Sequence, residues 1–168
     1  MYMQESFPYQ VVAFLDNEPD LGEPVYNGKN EWYAQIALKR RFTLQDTSEA
    51  ELINRLREFL EAQEPLDIRV GELVKPERMP VHVLEIRQPE RLMKFHLSLI
   101  KALGPNLISR YPERDGDNYL PHVTAEYGGK FVIDSDKYKN RGFTLARLCL
   151  LKDIVGDSVA QEFFDLKS

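Results

Sequence analysis

The stretch LPHVTAEYGG, residues Leu120–Gly129, reads as a strand that carries one chemically competent histidine. Side chains alternate between the faces of a strand, so His122 and Thr124 share one of them. Pro121 has no N–H for a ladder and suits the mouth of the strand, and Gly128-Gly129 ends it. An imidazole beside a hydroxyl can grip and protonate one phosphate oxygen. A lone H-x-T pair is a weak signal. A second stretch far upstream, YAQIALKRRF at Tyr33–Phe42, strengthens it. Regular alternation puts Tyr33, Gln35, Ala37, Lys39 and Arg41 on one face. It puts Trp32, Ala34, Ile36, Leu38, Arg40 and Phe42 on the other, which is mostly apolar. The expectation is a strand with one face on a core and the other on a polar cleft.

Taken together, the two stretches resemble the paired H-x-T motifs of the two-histidine (2H) phosphoesterases, the family of the bacterial 2′-5′ RNA ligase and RNA 2′,3′-cyclic phosphodiesterase. The second motif stands intact as His122-Val123-Thr124-Ala125. The first falls on Gln35-Ile36-Ala37-Leu38, with glutamine where the family has histidine and alanine where it has threonine. The resemblance covers nearly the whole chain by element order. It implies a two-lobed fold with a pseudo-twofold axis, helices outside and the two motif strands facing each other across a cleft. It also implies chemistry that needs no metal and no cofactor.

Composition sets the bounds. The chain has 168 residues, 43% hydrophobic and 29% charged, which fits one globular domain spanning 1–168 with a sizeable core. There is no apolar run near the length of a membrane span, and the first ten residues lack the basic and apolar regions of a secretory signal. A cytoplasmic monomer is expected. The single cysteine, Cys149, lies in an apolar strand and reads as a buried structural thiol. A net charge of −5 argues against a broad, sequence-independent grip on nucleic acid but leaves room for a local anion site.

Along the chain, Tyr9–Leu15 reads as a first strand and 17–30 as a loop. Ser48-Glu49-Ala50-Glu51 has the spacing of a capping box and opens a helix with Leu52, Ile53, Leu56, Phe59 and Leu60 as its apolar stripe. Leu66–Val74 and Val81–Arg87 read as strands. A second helix runs from Pro89 to Gly104-Pro105 with the stripe Leu92, Phe95, Leu99 and Leu103. His82 and His96 read as packed or hydrogen-bonded structural histidines. The polar segment 106–118 leads into the motif strand and supplies Arg110 and Arg114 as further contact candidates. A charged loop covers 132–141. Phe143–Leu151 reads as one strand, and Val159–Leu166 as the last. This order lacks the regular strand–helix alternation of a parallel sheet, so the fold class is α+β with mostly antiparallel sheets.

Opening a 2′,3′-cyclic phosphate needs a base for the attacking water and an acid for the departing ribose oxygen. Histidine suits both roles near neutrality. Here His122 is the one motif histidine and Thr124 the one motif hydroxyl. Gln35 donates a hydrogen bond but carries no proton through a reaction. Lys39 and Arg41 are candidates to clamp phosphate, with Tyr33 and Tyr119 at the border of the substrate. Glu126, two places past Thr124, is a candidate base, a candidate to orient His122, or a partner for Lys39. Three readings stay open: a divergent cyclic phosphodiesterase, a module that binds a nucleotide or RNA end without turnover, and a structural domain with a relic cleft.

Overall fold

Tyr9–Phe14 and Gln35–Leu44 form the first two strands, β1 and β2. In the computed structural model, which describes residues 6–26 and 31–167, they are followed by helix α1 at Glu49–Glu61. Ser48 caps α1 as its spacing predicts: its side chain accepts a hydrogen bond from the Glu51 N–H at 3.2 Å. Strands β3 (Leu66–Val74) and β4 (Val83–Arg87) precede helix α2 at Glu90–Leu103. Gly104, with φ of +87°, ends that helix in a conformation few other residues adopt. Then come β5 (Leu107–Ser109), two 3-10 turns at Pro112–Arg114 and Gly116–Asn118, and β6 (His122–Thr124). The short hairpin β7 (Glu126–Tyr127) and β8 (Lys130–Phe131) leads to the single-turn helix α3 at Ser135–Tyr138. The chain closes with β9 (Gly142–Leu145), β10 (Arg147–Ile154) and β11 (Asp157–Asp165).

Among the described residues, nine strands join one antiparallel sheet in the order β11-β10-β1-β2-β6-β4-β3-β9, with β5 paired to β2. The fold is α+β and mostly antiparallel, as expected. Both long helices pack on one face. Leu52, Leu56 and Leu60 of α1 and Leu92, Phe95, Leu99 and Leu103 of α2 share one core with Ile36, Leu38, Val70, Leu84, Val123 and Leu148. Burying each such side chain fully contributes roughly 2 kcal/mol. A smaller core on the other face gathers Val12, Val25, Cys149, Leu151 and Ala160. Cys149 is wholly buried there, and burial pushes its thiol up to about 12. No helix among the described residues is long and apolar enough to cross a membrane.

Two segments differ from the sequence reading. Phe143–Leu151 is two strands, not one. The chain breaks at Ala146: β9 pairs with β3 at one end of the sheet and β10 with β1 and β11 near the other. The motif stretch 120–129 is likewise split into β6 and β7 at Ala125, where the N–H groups of Ala125 and Glu126 both donate to the His82 carbonyl and the regular ladder with β4 ends. Of the loop expected over 17–30, residues up to Tyr26 are described. They lie along β11 through the Pro24–Val159 bridge, and the Val25 carbonyl accepts from the Tyr33 N–H beside β2. Residues 27–30 and 1–5, which include part of that loop and of the N-terminal reading, lie outside the described residues.

Candidate functional site

Strand β6 lies between β2 and β4. Ile36 faces Val123 on one side and Leu84 faces it on the other, and all three are completely buried in the helix-side core. Alternation then turns His122 and Thr124 of β6, and Gln35 and Ala37 of β2, to the opposite face. Extending the antiparallel register by one residue each way sets Gln35 across from Thr124 and Ala37 across from His122. Glu85 of β4 stands beside His122 on its other side. The two motif positions are therefore brought together. Gln35 and Thr124 are partly exposed, and among the described residues neither side chain has a hydrogen-bond partner.

Beyond Ala37 the alternation fails. Tyr9 faces Phe42, Val11 faces Lys39 and Val12 faces Ala37. Two steps along β1 match three along β2, and the next single step matches two, so β2 carries two extra residues. Each is a bulge, which re-aims the side chains beside it. Lys39, expected on the cleft face, is buried instead, at 1% exposure. Its Nζ donates to Asp115 Oδ1 at 3.1 Å and to the Arg40 carbonyl at 3.2 Å. Arg41, also expected in the cleft, points toward Asp153 and Ser158, at 3.4 Å from each. Arg40, which regular alternation gives to the core, enters the site. The run of three cations inside a strand is the available signal, since strict alternation would bury one of them.

Arg40 holds the histidine. Its Nη2 lies 2.6 Å from His122 Nε2, and His122 Nδ1 lies 2.8 Å from the Leu120 carbonyl. A carbonyl only accepts and a guanidinium only donates, so the ring is neutral, with its proton on Nδ1 and its lone pair on Nε2 turned to Arg40. Burial, and then the charge of Arg40, push the His122 pKa down to about 4, with a smaller push from Arg114. Burial, then Arg114, lowers Arg40 as well. Arg40, Arg110 and Arg114 have no carboxylate partner among the described residues. In the same segment Asp115 is engaged on both oxygens, by Lys39 and by the Ser109 hydroxyl.

Tyr119 forms a wall. It is 5% exposed, its hydroxyl donates to the Ala37 carbonyl at 2.8 Å, and burial raises its pKa well above the usual phenol value. Its ring stacks on His96 with centroids 4.0 Å apart. His96 is a satisfied core histidine: Nδ1 donates to the Leu38 carbonyl at 2.7 Å and Nε2 accepts from the Gly116 N–H at 3.0 Å. Burial lowers its pKa, in keeping with the neutral form. Tyr33 packs edge-on against Phe14, 6.2 Å between centroids, at the Gln35 end of the strand. Glu126 is not directed at His122 or Lys39. Its carboxylate accepts from the His82 ring and from the His82 backbone N–H, which hold its pKa below the usual carboxylate range. Among the described residues no group of three or more metal-binding side chains is assembled.

The chain matches the sequence profile of the 2′-5′ RNA ligase superfamily over residues 30–153. No curated protein sequence matches it. Several solved structures share its fold at low identity. One described as a phosphoesterase has 14% identity, covers 98% of this chain and 100% of its own, and superposes with a TM-score of 0.60. Escherichia coli LigT complexed with 3′-AMP has 14% identity, the same coverage and a TM-score of 0.58. TT0787 of Thermus thermophilus has 13% identity, covers 96% of this chain and 98% of its own, and gives a TM-score of 0.58.

Proposed function

For a chain that belongs to the 2′-5′ RNA ligase superfamily, we propose a metal-independent phosphodiesterase that opens a 2′,3′-cyclic phosphate or a 2′-5′ phosphodiester, with His122 as its one motif proton carrier. Family membership and the LigT-like fold support a phosphoesterase- or ligase-like function. The observation that carries the finer reading is the Arg40 guanidinium, without a carboxylate partner, 2.6 Å from the lone pair of a neutral His122. An uncompensated cation at that place suits an anion. E. coli LigT has been crystallised with 3′-AMP, NADP+, ATP and phosphate, and a small phosphate-bearing ligand fits the charge of this cleft.

In this reading the phosphate sits between the Thr124 hydroxyl, the Gln35 amide and Arg40. Arg40 turns from the imidazole to the phosphate, and His122 Nε2 is freed. That nitrogen takes a proton from the attacking water as its oxygen bonds to phosphorus. The bond from phosphorus to the ribose oxygen breaks, and solvent supplies the proton to that oxygen, because Gln35 has none to give. The missing acid costs about 10²–10⁴ in rate, so turnover is slow. Running the step backwards joins a hydroxyl to the cyclic phosphate. The protein acts as a cytoplasmic monomer.

A second reading, binding without turnover, is favoured by the capped Nε2 and the pKa near 4. A relic cleft fits least, because Arg40, Arg110 and Arg114 form no ion pair among the described residues and unpaired like charges repel one another. Turnover of nucleoside 2′,3′-cyclic phosphates separates these readings. Activity in the native protein that vanishes in His122→Ala supports the enzyme. An inactive native protein that gains activity in Gln35→His supports the binding module. Equal native and His122→Ala rates would overturn the proposed mechanism.

A further inference from the structure

A cyclic phosphate or an internal phosphodiester carries one negative charge, and Arg40 alone balances it. Two cations are left over beside the same site. The Arg110 and Arg114 guanidinia each lie 5.3 Å from the centroid of the Tyr111 ring, so the three side chains form one cation–aromatic group. Backbone bonds fix its place. The Arg110 N–H donates to the Arg41 carbonyl at 3.0 Å, which ties the segment to β2 one residue from Arg40. The Arg114 N–H donates to the Tyr111 carbonyl at 2.9 Å, closing the turn. The charge of Arg114 reaches both Arg40 and His122.

Neutralisation from within the protein does not account for this group. The chain has 27 acidic and 22 basic residues, so carboxylates are in excess overall. Yet Asp115 is turned away to Lys39 and Ser109. Glu113 and Asp117 of the same segment form no ion pair among the described residues. Arg110 and Arg114 thus carry donors on a segment tied to β2 next to Arg40, with no ion-pair partner among the described residues, and such donors match phosphate oxygens well.

We propose that Arg110, Tyr111 and Arg114 form a second phosphate subsite, which takes the phosphate on the 5′ side of the nucleotide whose 2′,3′ phosphate sits at His122. This rests on the reading of the His122 cleft as a phosphate site. It narrows the ligand from any cyclic phosphate to one bearing a further phosphate at its 5′ position. Two ligands share that chemistry, a free 5′-phosphorylated nucleotide and the 3′ end of an RNA strand.

Stable products serve as probes, with affinities measured by calorimetry. Adenosine 2′- and 3′-monophosphates are compared with the corresponding 2′,5′- and 3′,5′-bisphosphates, on the native protein and on Arg110→Ala/Arg114→Ala. The readout is the ratio of affinities within each protein, so a general loss in the double variant cancels. The native protein should prefer the bisphosphates by about tenfold or more, the gain expected of charge-assisted hydrogen bonds. In the double variant the preference should collapse toward one. A diadenosine with a terminal 2′- or 3′-phosphate distinguishes the sources. Binding as tight as the bisphosphate supports a strand, and weaker binding supports the free nucleotide. Monophosphate binding with no bisphosphate preference would overturn the second subsite and leave the first standing, as would a preference that survives in the double variant. Absence of binding by every probe would overturn both.

Discussion

Replacing Arg40 with methionine tests the central contact of the site. The change keeps length and apolar contact but removes the guanidinium that lies 2.6 Å from His122 Nε2. Burial, the larger cause of the low pKa near 4, stays in place. The imidazole should therefore recover only part of the way toward 6.5, by about 1, the low end of what one nearby charge does. Phosphate affinity should move the opposite way and fall by about tenfold or more, the loss of a charge-assisted hydrogen bond. The first effect is read by NMR titration of the imidazole signals. The chain has three histidines, and His122→Asn identifies the relevant one. The second is read by calorimetry with inorganic phosphate. An unchanged His122 titration would mean that the guanidinium does not rest on the ring in solution, and the account of a capped base would fail with it.

Stability should decline in mild acid. The pKa of His122 is about 4 in the fold and 6.5 for an unperturbed histidine, so the unfolded chain binds more protons between those values. Stability is then present above about 6.5 and is lost as pH falls through 4, by about 3 kcal/mol in full. His122→Asn should show a shallower decline in urea titrations, and an identical slope would count against it. Lys39→Met should cost about 1–3 kcal/mol, since it leaves Asp115 with one fewer partner at a site only partly open to water. It should leave phosphate affinity intact, and a loss like that of Arg40→Met would restore the regular-alternation placement of Lys39. Val155 is fully exposed with φ of +51° next to Gly156 in the β10–β11 turn. Val155→Asn relieves a conformation that branched residues avoid and should raise stability by about 1 kcal/mol in thermal unfolding. A lower melting temperature would contradict that.

Local signals carry most of the architecture. The capping serine, the two apolar stripes and the strand runs are legible because each is set by neighbours a few residues away. What the sequence hides depends on partners distant in the chain. Nothing in FTLARLCLL marks Ala146 as the point where pairing passes from β3 to β1, since both halves are equally apolar. Leu107–Ser109 is a strand only because β2 extends past β6 and offers it an edge. His122, Thr124 and Gln35 can be placed from alternation alone, because Ile36 and Val123 anchor them to the core. Arg40 cannot, because two bulges exchange its face with that of Lys39. Glu126 departs from its expected place for a related reason: its N–H and that of Ala125 share the His82 carbonyl, which ends the regular ladder and leaves the carboxylate on His82.

The sheet is unevenly stitched. Strands β10 and β11 share eight residue pairs, whereas β2 and β6 share one, Ile36 with Val123. Resistance to shear and twist grows with the number of rungs in a ladder, so this seam is the most compliant line in the sheet. Helices α1 and α2 brace it from behind by packing on each other, and on the front the Arg40–His122 contact ties β2 to β6. A phosphate held by both Gln35 and Thr124 would act as a clasp across the seam. Its arrival should register as slower amide hydrogen exchange at Ile36 and Val123, while the well-stitched β10–β11 ribbon keeps its rate.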